Sequence, residues 1–245
     1  NYVVYNPYDD YCDFVCSVDG KLTFYNTGGY IGSVSFDVFW NLSRVVEDDP
    51  IVYRVDPSGD HVSLTALLLD LKDDTRPKII KIAGGDYDIF AEYKALQNAG
   101  RLPTVPTSGF NPSTGYVPYN VFIPDNPHII GEGVVKLNYL PSASDTFANE
   151  ASTLSPINVA GSMILENVEI YQKNGRYCIH DDPISDPKYN GAHKVYKNVK
   201  CVKYVADIVD GNALGSSYAF GCGISRAMSY EFDNCYFETK STYSG

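Results

Sequence analysis

The sharpest polar cluster of mixed chemistry is Arg176, His180, Asp181 and Asp182, with Asp186 just behind them. An imidazole beside carboxylates has its pKa raised and can act as a general acid or base. A carboxylate pair can instead offer oxygen ligands to Ca²⁺. On a strand, residues two apart share a face. That would put Arg176, Cys178 and His180 on one side, with Tyr177, Ile179 and Asp181 on the other. Cys178 and Ile179 both read as buried, so a bend after Ile179 is expected. It would free His180, Asp181 and Asp182 to cluster at an edge. Arg176, His180, Asp181 and Asp182 are therefore the catalytic candidates, and metal ligands stay unassigned. The plain alternative is a hydrogen-bonded corner before Pro183.

Other polar residues carry weaker signals. Asp207, Asp210, Glu231, Asp233 and Glu238 add carboxylates. A glycosidase needs two such groups at a set separation, which a sequence does not fix. Glu166 and Glu169 flank Asn167 and read as solvent-facing. Asp86 and Asp88 flank Tyr87 and read as turn residues. His61, His128 and His193 are isolated. Gly84-Gly85 and Gly131-Glu132-Gly133 lack the spacing of a phosphate cradle, and no GxSxG, HExxH or P-loop occurs. Cys12, Cys16, Cys178, Cys201, Cys222 and Cys235 show no zinc-type spacing. The last four lie in apolar runs, and buried free thiols are expected there.

Composition narrows the field. The chain has 245 residues, and 30 Asp and Glu outweigh 19 Lys and Arg, for a net charge of −11. Nucleic-acid binding needs a basic footprint, and none is evident. An anionic membrane surface is disfavoured for the same reason. The longest uncharged run, 102–124, contains five prolines and cannot be a continuous membrane helix. The N-terminus shows no signal peptide and starts at Asn1, so a processed form or the ordered part of something larger is expected. The 21 tyrosines suit both β-rich folds and wet recognition surfaces, because each joins an apolar face to a polar tip.

The elements that would position these residues are mostly strands. Residues 1–61 read as a β-rich segment, with strands at 21–25, 33–40 and 50–55 and a turn cluster at 56–60. Residues 63–74 read as a helix capped by Ser63, with Leu64, Leu67, Leu68 and Leu71 on one face. A strand over 78–89, a short helix over 89–98 and a Pro/Gly-rich loop over 101–119 follow. Residues 121–133 read as two short strands around a turn at 125–127. Residues 62–155 thus form a helical cap with the first coils. From 156 to 245, short apolar runs alternate with turns, including strands at 176–182 and 218–224. Three runs share one pattern: LENVEI (165–170), YKNVKC (196–201) and FDNCYF (232–237). Each places an asparagine (Asn167, Asn198, Asn234) at the same step. One strand motif per repeat predicts a stacked array, best explained by a parallel β-helix. Asparagine tolerates the left-handed conformation of sharp bends, and its amide can ladder to the next copy.

With these motifs in view, residues 62–240 resemble the pectate-lyase-like, right-handed parallel β-helix superfamily, in the form common among phage tail spikes and tail fibres. SLTALLLDL resembles its opening helix and KIIKIAGGDYDI its following strand, Gly and Tyr. VFIPDNPHIIGEG is similar to its Gly-Glu-Gly rung, INVAGSMILENVEI to a first full coil, and RYCIHDD to a run that recurs in the group. The resemblance implies an all-β fold with a short helical cap. It implies a virion-tail or extracellular structural protein, usually a homotrimer, that binds and in some members degrades cell-surface polysaccharide. By position, 1–61 would contact other virion proteins. A family Ca²⁺ cluster with an arginine base cannot be mapped onto this chain residue by residue. A soluble bacterial polysaccharide lyase or glycoside hydrolase and a purely structural virion protein are the alternatives. Neither nucleic acid nor membrane insertion is expected.

Overall fold

A computed structural model of the chain describes residues 3–5, 12–14, 50–59, 61–102, 121, 123–145, 154–181, 189, 191–222 and 229–241. Two compact units divide between Val46 and Glu47. In the first, β1 (Val3–Tyr5) and β2 (Cys12–Phe14) pair antiparallel. The strands expected at 21–25 and 33–40, and most of the loop over 101–119, lie outside the described residues.

The second unit is β-rich, and its two main sheets are parallel. In the larger, β3 (Ile51–Val55), β4 (Lys78–Asp88), β5 (Pro127–Tyr139), β7 (Met163–Gln172) and β9 (His193–Tyr204) are successive neighbours. β13 (Ser229–Asp233) and β14 (Tyr236–Lys240) both pair with β9 and end the sheet. The smaller sheet sets β8 (Ile179–Asp181) between β6 (Ile157–Val159) and β12 (Phe220–Cys222). From Ile157 the chain visits the two sheets by turns: β6, β7, β8, β9, β12, then β13 with β14. A small antiparallel ribbon, β10 (Ile208–Val209) with β11 (Asn212–Ala213), interrupts the last round.

The helices form where their caps and leucines predict. α1 (Leu64–Asp70) starts at Ser63, whose side chain accepts from the Ala66 N–H. It buries Leu64, Leu67 and Leu68, and Leu71 just beyond it is also buried. It stops short of 74, where Arg76 holds Asp74 in a turn through its backbone and side chain. α2 (Ile89–Asn98) is capped by Asp88, whose side chain accepts from the Ala91 N–H. The Glu92 carboxylate joins the helices by accepting from the Ser63 hydroxyl (2.8 Å) and the Thr65 N–H (2.7 Å).

Three strand boundaries differ from expectation. Residues 121–133 do not make two strands. β5 starts at Pro127 and runs through Gly131-Glu132-Gly133 to Tyr139. Asn126 takes a φ of 53°, and the Asp125 side chain accepts from the Asn126 and Ser162 N–H groups, so this stretch serves as a corner. Among the described residues of 176–182 and 218–224, Ile179–Asp181 and Phe220–Cys222 alone pair as strands.

The repeated asparagines are bends. Asn167, Asn198 and Asn234 have φ of 58°, 52° and 50°. Asn198 Nδ2 donates to Asn167 Oδ1 (2.9 Å), and Asn234 Nδ2 donates to Asn198 Oδ1 (2.7 Å). Beside them Gly131 stands where a Cβ would lie 2.1 Å from the Asn167 carbonyl oxygen, so only glycine admits the approach of β7.

Inside, like positions stack from strand to strand. Ile80, Ile129, Leu165 and Tyr196 are register partners, as are Tyr87, Leu137, Ile170 and Cys201, and all eight are buried. Each such aliphatic side chain contributes about 1.5–3 kcal/mol relative to exposure. Cys178 and Cys201 are buried free thiols and Cys235 is a half-buried one. Burial, then the neighbouring Cys178, pushes the Cys201 thiol well above its usual range. The two ends of the stack differ. At β3 and β4, Val55, Ile80 and Ile82 are fully covered and share one core with the α1 leucines. At the other end Phe232 and Phe237 continue the two interior rows, yet are 47% and 39% exposed.

Candidate functional site

Of the catalytic candidates, Arg176 and His180 both lie against the Tyr177 ring, whereas Asp181 turns to Lys194. Consecutive strand residues point to opposite faces, and β8 separates His180 from Asp181 in this way. Asp181 is fully buried and accepts from Lys194 Nζ, itself fully buried, at 2.5 Å. Burial raises its pKa, and the Lys194 ammonium and the Tyr230 hydroxyl oppose the rise. His180 is 4% exposed, with its ring 5.2 Å from that of Tyr177. The Arg176 guanidinium lies 5.3 Å over the same Tyr177 ring. Burial, and then the Arg176 charge, push the imidazole down to about 3. The expected rise is thus reversed, because burial disfavours the charged imidazolium and the charged neighbour is a cation rather than a carboxylate. His180 is neutral at pH 7 and a poor base.

Asp182 and Asp186 lie outside the described residues. No three His, Cys, Asp or Glu side chains meet as a metal site among the described residues. Asp181, the described half of the Ca²⁺ pair considered above, is committed to Lys194. Asp207 is a corner residue: it pairs with Lys173 (2.7 Å), accepts from Asn174 Nδ2 (2.8 Å), and its N–H donates to Asn174 Oδ1 (2.8 Å).

A different set of side chains does converge, on the outward face of the larger sheet beside α2. Strand register puts Asp86, Lys136, Glu169 and Lys200 in one row across β4, β5, β7 and β9. Opposite charges alternate along it, with Lys136–Asp86 at 3.5 Å and Lys200–Glu169 at 3.1 Å. Two residues further on, Asp88, Asn138 and Tyr171 form a second row. Tyr171 links the rows. Its hydroxyl donates to Glu169 and accepts from Lys200 (3.0 Å), and the Lys200 ammonium lies 5.3 Å from its ring. Tyr171 first, and Lys200 with it, lower the pKa of Glu169, and Tyr171 with Glu169 raises that of Lys200. Both stay charged and hold the phenol in place.

Asp86 and Lys136 of the first row and all three residues of the second line a groove of about 460 Å³ with Phe90, Leu140 and Tyr204, and Glu169 and Lys200 stand beside it, bonded to Tyr171. It crosses four strands, roughly 14 Å at the usual strand spacing. Aromatic rings provide flat apolar faces, and carboxylates, an amide and an ammonium stand around them. Such a surface suits a ligand with alternating C–H patches and hydroxyls. A second groove on this sheet, of about 400 Å³, is mainly apolar, lined by Pro77, Ile79, Pro127, Met163, Ile164 and Val195. Its two histidines are engaged, His128 with Glu166 (2.9 Å) and His193 with Ser229 (2.8 Å).

No family model, curated protein or solved structure matches this chain. The geometry alone therefore carries the site. No described helix is long and apolar enough to cross a membrane.

Sequence reasoning missed this groove. Asp86 and Asp88 lie on and at the end of β4 rather than in a turn. Lys136, Tyr171, Lys200 and Tyr204 drew no attention, because nothing local marks them. The available signal was the alternation within the three asparagine-bearing runs. Aligning those runs on their asparagines sets Glu169 beside Lys200, at the second residue after each bend.

Proposed function

We propose that this chain is a right-handed parallel β-helix of the pectate-lyase-like kind that binds cell-surface polysaccharide, as a tail-spike or tail-fibre type protein would. Two parallel sheets visited by turns, with laddered asparagine bends, support the coil reading. The observation that carries the binding role is the groove: Tyr171, fixed by Glu169 and Lys200, lines it together with Tyr204 and Phe90, among hydrogen-bonding side chains. A homotrimer and a place in a virion tail or outside the cell follow from the resemblance alone.

The test is binding of the purified chain to a panel of bacterial surface and plant polysaccharides by calorimetry. Tyr171→Ala and Tyr204→Ala are expected to weaken binding at least about tenfold, or 1.4 kcal/mol, without lowering the melting temperature. Following new reducing ends in the same samples, with and without Ca²⁺, tells cleavage from binding. If nothing on a broad panel binds, the glycan reading falls and the purely structural virion protein takes its place.

A further inference from the structure

This inference rests on the glycan reading and names the class of glycan. We propose that the groove takes neutral, hydroxyl-rich polysaccharide and excludes polyanionic polymers. The argument is one of charge already spent. Lys136 is engaged with Asp86 at 3.5 Å and Lys200 with Glu169 at 3.1 Å. At the rim Lys94, whose ammonium lies 5.4 Å over the Phe90 ring, is engaged with Asp145 at 2.8 Å. A sugar carboxylate entering here would have to displace a protein carboxylate from each cation it approached. Asp88 adds a further negative group, held at the head of α2 by the Ala91 N–H. Asp86, Asp88 and Glu169 thus outnumber Lys136 and Lys200 in and beside the groove.

The surroundings act the same way. The chain carries a net charge of −11, so a polyanion is repelled before contact. A neutral sugar meets no such barrier. Its ring can lie on Tyr171 or Tyr204, and its hydroxyls can donate to Asp86 and Asp88 and accept from Lys136 and Asn138 without breaking an ion pair. Hydroxyl recognition of this kind discriminates strongly, because a buried polar group left unmatched is costly.

The test uses the full chain, calorimetry and a chelator. Polygalacturonate and alginate are each presented as the native polymer and after carboxyl reduction to the neutral one, beside dextran, galactan and mannan. Binding is expected only to neutral members, at least about tenfold tighter than to any acidic parent, and insensitive to added salt. In a second arm, Asp86→Asn combined with Glu169→Gln releases Lys136 and Lys200, and the acidic polymers are expected to gain affinity. An acidic parent bound as tightly as its reduced form overturns the inference and leaves the glycan reading standing. Binding to no polymer overturns both. Should the double variant fail to fold, the comparison of native with reduced polymers on the unaltered chain decides.

Discussion

Asn198 is the middle rung of a ladder, and its chemistry explains its place. It must hold a positive φ, donate to Asn167 and accept from Asn234. Replacing it with alanine removes both bonds and forces a Cβ into a left-handed backbone. Asn198→Ala should cost about 2 kcal/mol in urea unfolding, and Asn198→Gly, which relieves the backbone, about half of that. This bend was legible in the sequence because few residue types suit it, so chance copies of the pattern are rare. His180 was not legible, since its chemistry depends on which face it takes. Its pKa is 6.5 when unfolded and about 3 when folded, so the unfolded chain binds more protons between those values. Stability should therefore be full above pH 6.5 and fall as pH drops toward 3. Urea midpoints measured across that range should slope less in His180→Gln.

At the scale of the strands, the unexpected feature is charge pointing inward. β9 reads HKVYKNVKCVKY, in which every lysine looks like a solvent-facing residue. Lys194 and Lys203 are nevertheless fully buried, and Lys203 Nζ donates to Gln172 and to the Gly175 carbonyl. Burial pushes its amine down to about 8. Alternation fails here because Cys201, Val202 and Lys203 are buried in succession. Local periodicity cannot foresee that. What covers the strand comes from elements far away in sequence. The Ser63 cap and the turn after Val55 were readable because they are local, whereas the Gly84-Gly85 and Gly131-Glu132-Gly133 steps lie inside strands. Lys194 with Asp181 gives a sharp test. Asp181→Ala strips the carboxylate from a buried ammonium and should cost about 3–5 kcal/mol, whereas Asp181→Leu with Lys194→Met should recover most of the loss. Thermal unfolding of the single and double variants measures it. Any loss of function in Asp181→Ala alone should then track unfolded protein.

For the whole stack, the contrast between its ends sets the order of opening. Val55 and Ile82 are sealed with the α1 leucines, while Phe232 and Phe237 continue the interior rows only partly covered. Amide exchange should be fastest in β13 and β14 and slowest in β5 and β7, which are paired on both sides. Equal protection along the stack would contradict that gradient. The ladder of asparagines adds a consequence for how such a molecule comes to exist. Each bend is positioned by the amide of the one before it, so the register of Asn234 is inherited from Asn198, and that of Asn198 from Asn167. A shift at Asn167 would be passed along this row to Asn198 and Asn234, which gives weight to the close approach that only Gly131 admits there.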